Sequence, residues 1–229
     1  MAEMTPSRLA AMIDQTMLKP TVGLAEGARW LESNARMGYA ALCVTPQLVP
    51  AAAKALAGSS TKVCSVCAFP LGYATTETKS AEAAALVELG CEEVDMVLAI
   101  GPLLEGDTGY VRDDIAAVVD AVRETSGGSA ITKVILETGH LSEEQIALAC
   151  GLAEEAGADF VKTSTGFGPR GASIRDVELM RAAVGERLGV KAAGGIRDLE
   201  AALALVDAGA SRLGTSAGEV LVADLAARE

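Results

Sequence analysis

Two lysines stand where a short apolar run gives way to a polar, glycine-punctuated segment. Lys162 lies between Gly157 and Gly168, behind Phe160 and Val161, and Lys191 follows Gly189 and Val190 just before Gly194 and Gly195. An ammonium at the mouth of a buried strand is costly unless the protein uses it. Two ammoniums on one small mouth repel, which favours the neutral, nucleophilic form of one of them. The chemistry open to such a group is attack of an amine on a carbonyl. With a repeat of two, Phe160, Lys162 and Ser164 share one face of their strand, and Lys191 falls opposite if the neighbouring strands align. Lys133, in the apolar run 131–136, is a third strand lysine, and spacing does not choose among the three. A structural salt bridge or a phosphate contact is the competing reading for each.

Asp95, flanked by Val94, Met96 and Val97, must face something polar if it sits in a strand. Proton transfer beside a lysine and a structural ion pair are equally good accounts of it. Asp14 invites the same argument in the first strand. Two glycine-bearing segments, Gly194-Gly195-Ile196-Arg197 and Gly214 to Gly218 with Ser216, follow the last two expected strands. Free N–H groups at such turns favour an anion, and Arg197 adds a cation, so a phosphate site is expected there rather than two plain turns.

The single histidine, His140, removes His-rich zinc sites and leaves little for histidine-based nucleophilic catalysis. It sits in a turn and reads as a surface residue. Cys64 and Cys67 form a Cys-x-x-Cys inside an apolar run, but strand spacing sends them to opposite faces, so both read as packing. Cys43 ends the second expected strand and could line the site, although a small buried filler is the plainer reading.

These residues need a scaffold. Strands are expected at 11–14, 40–44, 62–68, 93–98, 132–137, 159–163, 190–193 and 212–214. Helices are expected at 24–37, 47–56, 75–89, 111–123, 143–156, 174–184, 199–208 and 217–226. Gly38, Gly58, Gly90, Gly157, Gly185 and Gly209 fall just past helices, and Ser142 opens one with a capping box. Strands alternating with helices imply parallel pairing, and eight such units in 229 residues suggest a closed (β/α)8 TIM barrel forming one domain over 1–229, with an open doubly wound sheet as the alternative. Hydrophobic residues reach 50% while aromatics are only 3%, so the core is aliphatic. A net charge of -12 argues against nucleic acid and anionic membrane as partners. No apolar run approaches the roughly 20 residues of a membrane span. The N-terminus lacks a signal peptide's pattern, and five irregularly spaced cysteines do not form a disulfide framework, so a cytoplasmic setting is expected.

Over nearly its full length the chain resembles the deoxyribose-phosphate aldolases, class I aldolases on an eightfold barrel. The resemblance runs through 13–20, 43–46, 68–72, 94–97 and 133–138. Its most specific parts are Lys162-Thr163-Ser164-Thr165-Gly166-Phe167 and Lys191-Ala192-Ala193-Gly194-Gly195-Ile196-Arg197. It implies that Lys162 forms a Schiff base, that Asp95 and Lys191 relay protons, and that Gly166 joins Gly194, Gly195, Arg197, Gly214 and Ser216 around the substrate phosphate. Asp14, Cys43 and Lys133 would be supporting residues. The implied reaction is reversible cleavage of 2-deoxy-D-ribose 5-phosphate to D-glyceraldehyde 3-phosphate and acetaldehyde in deoxyribose phosphate breakdown. It implies no metal, no organic cofactor, phosphosugar and aldehyde as substrates, and a homodimer. Gln15 stands where many relatives carry His, and Ala99 where many carry a polar residue. No tyrosine follows Tyr110, although some relatives end in one that assists proton transfer. The rival readings are a phosphosugar isomerase or decarboxylase using Asp95 and Lys191 without a covalent intermediate, and a barrel that only binds phosphosugars.

Overall fold

A computed structural model describes residues 4–228. Eight parallel strands close into a barrel in sequence order: β1 Ile13–Met17, β2 Ala41–Val44, β3 Lys62–Cys67, β4 Glu93–Val97, β5 Ile131–Ile135, β6 Phe160–Lys162, β7 Gly189–Ala193 and β8 Arg212–Thr215. The closed barrel, not the open sheet, is the fold.

Helices α1 Pro6–Ala10, α2 Leu24–Asn34, α3 Val49–Ala55, α4 Thr76–Glu88 and α5 Ile100–Glu105 belong to the first half of the chain. They are followed by α6 Thr108–Ser126, α7 Glu143–Glu155, α8 Ile174–Val184, α9 Leu199–Asp207 and α10 Gly218–Ala226. The six glycines expected past helices all adopt positive φ, and the Ser142–Gln145 capping box opens α7 as expected. No helix among the described residues is long and apolar enough to cross a membrane.

Three local expectations are corrected. The first strand begins at Ile13 rather than residue 11, because Thr5 caps and Pro6 opens a short helix that uses Leu9 and Ala10 as its buried face. The helix expected over 47–56 is a 3-10 turn, Pro46–Leu48, followed by α3, which Pro50 opens. A helix unanticipated from sequence, α5, fills the loop after β4, and Gly106 ends it before Asp107 caps α6.

Alternate residues of each strand serve two different cores. Outward residues such as Leu42, Val94, Met96, Val134, Val161 and Val190 are buried against the helices in one continuous aliphatic shell. This shell supplies the stability of the fold, at about 1.5–3 kcal/mol for each large aliphatic side chain buried. The inward residues are different. Each strand is shifted by one residue along the axis relative to the last, and the shift closes after eight strands. The interior therefore stacks in layers of four from alternate strands. Ala41, Glu93, Phe160 and Arg212 form the lowest, Asp14, Cys64, Lys133 and Lys191 the next, and Cys43, Asp95, Lys162 and Gly214 the one above. A barrel core is ordinarily filled by branched aliphatic side chains; here charged groups occupy seven of these twelve places.

Candidate active site

The charged layers are fully paired. Asp95, wholly buried, accepts on Oδ2 from Lys162 Nζ at 2.7 Å and from Lys191 Nζ at 2.7 Å, and on Oδ1 from Lys133 Nζ at 2.8 Å. Lys133 also meets Glu93 at 2.6 Å. Lys191 donates to Asp14, whose other oxygen accepts from Arg212 at 2.6 Å. Arg212 bonds Glu93 as well, and lies 5.4 Å over the ring of Phe160. Within the Lys162 layer, Gly214 makes room for this network: a Cβ there would sit 3.0 Å from Cε of Lys191. Its lack of a side chain thus also serves the lysine, beside the ligand approach expected of it.

Charge counting organises the cluster. Three carboxylates, Asp14, Glu93 and Asp95, face four cationic side chains, Lys133, Lys162, Lys191 and Arg212. Loss of one proton from the lysines would bring the group to neutrality. Repulsion is expected to favour the neutral form of one lysine, and around Lys133 and Lys191 the carboxylates oppose it. Burial acts to lower the Lys133 ammonium, but Asp95, the Cys64 sulfur, Asp14 and Glu93 outweigh it and hold its pKa well above the ordinary lysine value. Lys191 is driven up in the same way, with burial opposed by Asp14 and Asp95. Both are fixed ammoniums. Burial likewise acts to raise the Asp14 and Asp95 carboxyls, yet the lysines around them, with Arg212 at Asp14, hold both below the usual carboxylate range. Lys162 has one carboxylate partner, Asp95, and shares that oxygen with Lys191.

Position separates the lysines further. A cavity of about 490 Å³ opens at the C-terminal ends of the strands, the end where barrels carry their functional loops. Lys162 lines it, whereas Lys133 and Lys191 lie beneath. The register pairing of Lys162 with Lys191 is the one expected. Gly166, Gly194, Gly195, Arg197, Gly214 and Ser216 all line the same cavity. Lys19, Glu26 and Trp30 complete its rim on the β1 side and were not anticipated.

The loop after β6 is held by a residue that sequence reasoning passed over. Glu137 sits just past β5 at φ 53, a left-handed conformation costly for a side-chain-bearing residue. Its buried carboxylate accepts from Thr165 N at 3.3 Å and from the Thr165 hydroxyl, which in turn accepts from Phe167 N at 3.0 Å. Gly171 lets this loop lie against the next one, since a Cβ there would come within 2.1 Å of Gly194 O. At the rim Phe167 meets Phe69 edge-on, 5.4 Å between centroids.

Residues 8–219 match the domain described as DeoC/LacD family aldolase. The chain belongs to this family. The deoxyribose-phosphate aldolase of Caldanaerobacter subterraneus subsp. tengcongensis is 50% identical over 93% of this chain and 92% of its own. Deoxyribose-phosphate aldolase 1 of Bacillus licheniformis is 50% identical over 97% and 98%. Among solved structures, a putative deoxyribose-phosphate aldolase from Coccidioides immitis superposes with a TM-score of 0.90 at 38% identity, covering 97% of this chain and 87% of that one.

In this aldolase the remaining expected residues fall as follows. Cys43 is buried in the Lys162 layer without lining the cavity, Cys64 faces the barrel interior and Cys67 the helices, and His140 is exposed. Cys43, Cys64 and Asp95 are close enough together to hold a metal ion, as are Asp14, Cys64 and Glu93, but lysine ammoniums already occupy the carboxylates of both groups. The ion-pair cluster also fixes how the aldolase responds to pH. Asp14 and Asp95 titrate below their unfolded values, so their contribution is complete above about pH 4 and is lost as pH falls through the folded values. Lys133 and Lys191 titrate above theirs, so their contribution persists up to about pH 10 and is lost above it. Denaturant unfolding from pH 3 to pH 11 should give a plateau with losses at both ends; a maximum centred near the acidic isoelectric point would contradict this origin.

Proposed function

We propose that this aldolase reversibly cleaves 2-deoxy-D-ribose 5-phosphate to D-glyceraldehyde 3-phosphate and acetaldehyde through a Schiff base on Lys162. One observation carries the assignment: of three lysines bound to Asp95, only Lys162 reaches the cavity, and that cavity also holds Arg197 and the glycine loops. The names of the close relatives support the substrate.

The free amine of Lys162 adds to C1 of the open-chain sugar, and the carbinolamine loses water to give an iminium. A base removes the proton of the C3 hydroxyl. The C2–C3 bond then breaks, C3 becomes the aldehyde of glyceraldehyde 3-phosphate, and the bond electrons enter the iminium to leave an enamine. Protonation at C2 and hydrolysis release acetaldehyde and the amine. Asp95 and Lys191 serve as the proton relay, because Lys191 is an ammonium on the same carboxylate oxygen that binds Lys162. Cysteine and carboxylate groups deeper in the barrel hold the relay in place rather than touch the sugar. Gly166, Gly194, Gly195, Gly214 and Ser216 offer backbone to the phosphate, with Arg197 as its counter-charge and Lys19 as a second cation on the rim.

All of these residues come from one chain, and a homodimer is the expected assembly. The five cysteines are free thiols, which supports the cytoplasmic setting. The test is borohydride reduction in the presence of acetaldehyde, followed by intact mass and peptide mapping. A single adduct on Lys162 is expected. No adduct, or one on Lys133 or Lys191, would overturn the assignment.

A further inference from the structure

Cys43 and Cys64 form a directly registered pair on β2 and β3, both pointing into the barrel and both wholly buried. Neighbouring parallel strands stand about 4.8 Å apart, within the Cα separations of about 4.4–6.8 Å that a disulfide spans. Their sulfur atoms and a carboxylate oxygen of Asp95 all lie within 4.8 Å of one another. Neither thiol is needed for the Schiff-base chemistry, yet Cys64 is wired to it: its Sγ donates to Asp95 Oδ1 at 3.4 Å and accepts from Lys133 Nζ at 3.5 Å. Cys43 shares the layer of Lys162, which lines the cavity, and Cys64 lies one layer deeper, so of the two buried thiols Cys43 is the nearer to the cavity.

We propose that Cys43 and Cys64 are an oxidation site in which hydrogen peroxide closes a disulfide across the floor of the active site and slows the aldolase. The two sulfurs are unequal, which sets their order. Turned from Asp95 to Cys43, the Cys64 S–H, with Lys191 and Lys162, favours the Cys43 thiolate against its burial, whereas burial above all holds Cys64 as a thiol. The Cys43 thiolate attacks one peroxide oxygen and the O–O bond breaks. Cys43 becomes a sulfenic acid, and the departing hydroxide takes the proton that Cys43 gave up, forming water. Cys64 then attacks the Cys43 sulfur, the S–O bond breaks, and hydroxide leaves with the Cys64 proton as a second water. Two thiols are oxidised by two electrons while one peroxide is reduced to two waters. To reach Cys43, the Cys64 sulfur gives up its bond to Asp95 and its contact with Lys133. Removing a donor from a buried carboxylate in this way costs about tenfold in turnover.

The loss of activity rests on the proposed roles of Lys162 and Asp95, whereas the linkage does not. The reduced full chain is treated with hydrogen peroxide and followed by intact mass, non-reducing peptide mapping and turnover. The expected product is lighter by two hydrogens, carries the peptides of Cys43 and Cys64 joined, turns over about tenfold more slowly, and recovers in dithiothreitol. Cys67→Ala must keep the linkage, which assigns it to Cys64 rather than to its neighbour in the same peptide. Oxidation that stops on Cys43 without linkage, linkage of any other pair, or a linked protein with unchanged turnover would each overturn the proposal. Linkage in a protein that has no aldolase turnover before treatment would instead sink the functional reading.

Discussion

Alanine in place of Lys162 lowers kcat/KM for the retro-aldol cleavage by on the order of 10⁴ or more, the scale of loss when a covalent nucleophile is removed. Its partners in the site cannot substitute for it. Lys133 is buried beneath the cavity and held as an ammonium by Asp95 and Glu93, and Lys191 is held in the same state by Asp14 and Asp95. The fold should survive the change with little loss. Wild type opposes four cationic groups to three carboxylates, and Lys162→Ala leaves three against three. Lys162 also makes the fewest ion pairs of the cluster and borders a cavity, so its removal strands no buried charge. Steady-state turnover and thermal unfolding, measured together, decide the matter. A variant within tenfold of wild type would place the nucleophile elsewhere, and a variant that fails to fold would contradict the charge count.

Much of this arrangement was legible from residue order, because a barrel converts spacing into place. The period of two put Phe160, Lys162 and Ser164 on one face, and parallel pairing of consecutive strands set Lys162 beside Lys191. The glycines past helices gave the alternation of elements, and the loops after β7 and β8 had to share one mouth once the barrel closed. The misreadings share a cause. Residues 9–13 are apolar enough for a strand, and only the cap at Thr5 with Pro6 behind it turns part of them into helix. The lysine electrostatics were read from pairs of like charges, whereas the outcome depends on carboxylates arriving from other strands. Glu93 and Arg212 carried a usable signal, since each lies two residues before an inward site residue, Asp95 and Gly214. Glu137 carried none, because its role comes from a left-handed backbone and from a loop nearly thirty positions away.

Asparagine at position 95 keeps the shape of the side chain and removes its charge, and it should be the most damaging single change to the core. Asp95 is the shared partner of Lys133, Lys162 and Lys191. Without its charge, four cationic groups face only Asp14 and Glu93, and the new amide NH₂ points a donor at a donor. Breaking a buried pair on one side costs about 3–5 kcal/mol. Loss of the proton relay should lower kcat by about 10²–10⁴ as well. A packing defect could mimic the first effect at one pH but not across a range. The stranded excess of positive charge is relieved when a lysine gives up its proton, so that lysine titrates in the folded variant below its unfolded value of about 10.4. Between those two values the unfolded chain binds more protons than the folded one, and the variant gains stability as pH rises. In wild type Lys133 and Lys191 shift upward, so their contribution to its stability is flat over the same interval. The gap between the two proteins in denaturant unfolding should therefore narrow from pH 7 to pH 9. A gap that is constant with pH, or one below about 1 kcal/mol at pH 7, would mean that Asp95 is not the counter-charge on which the three lysines depend.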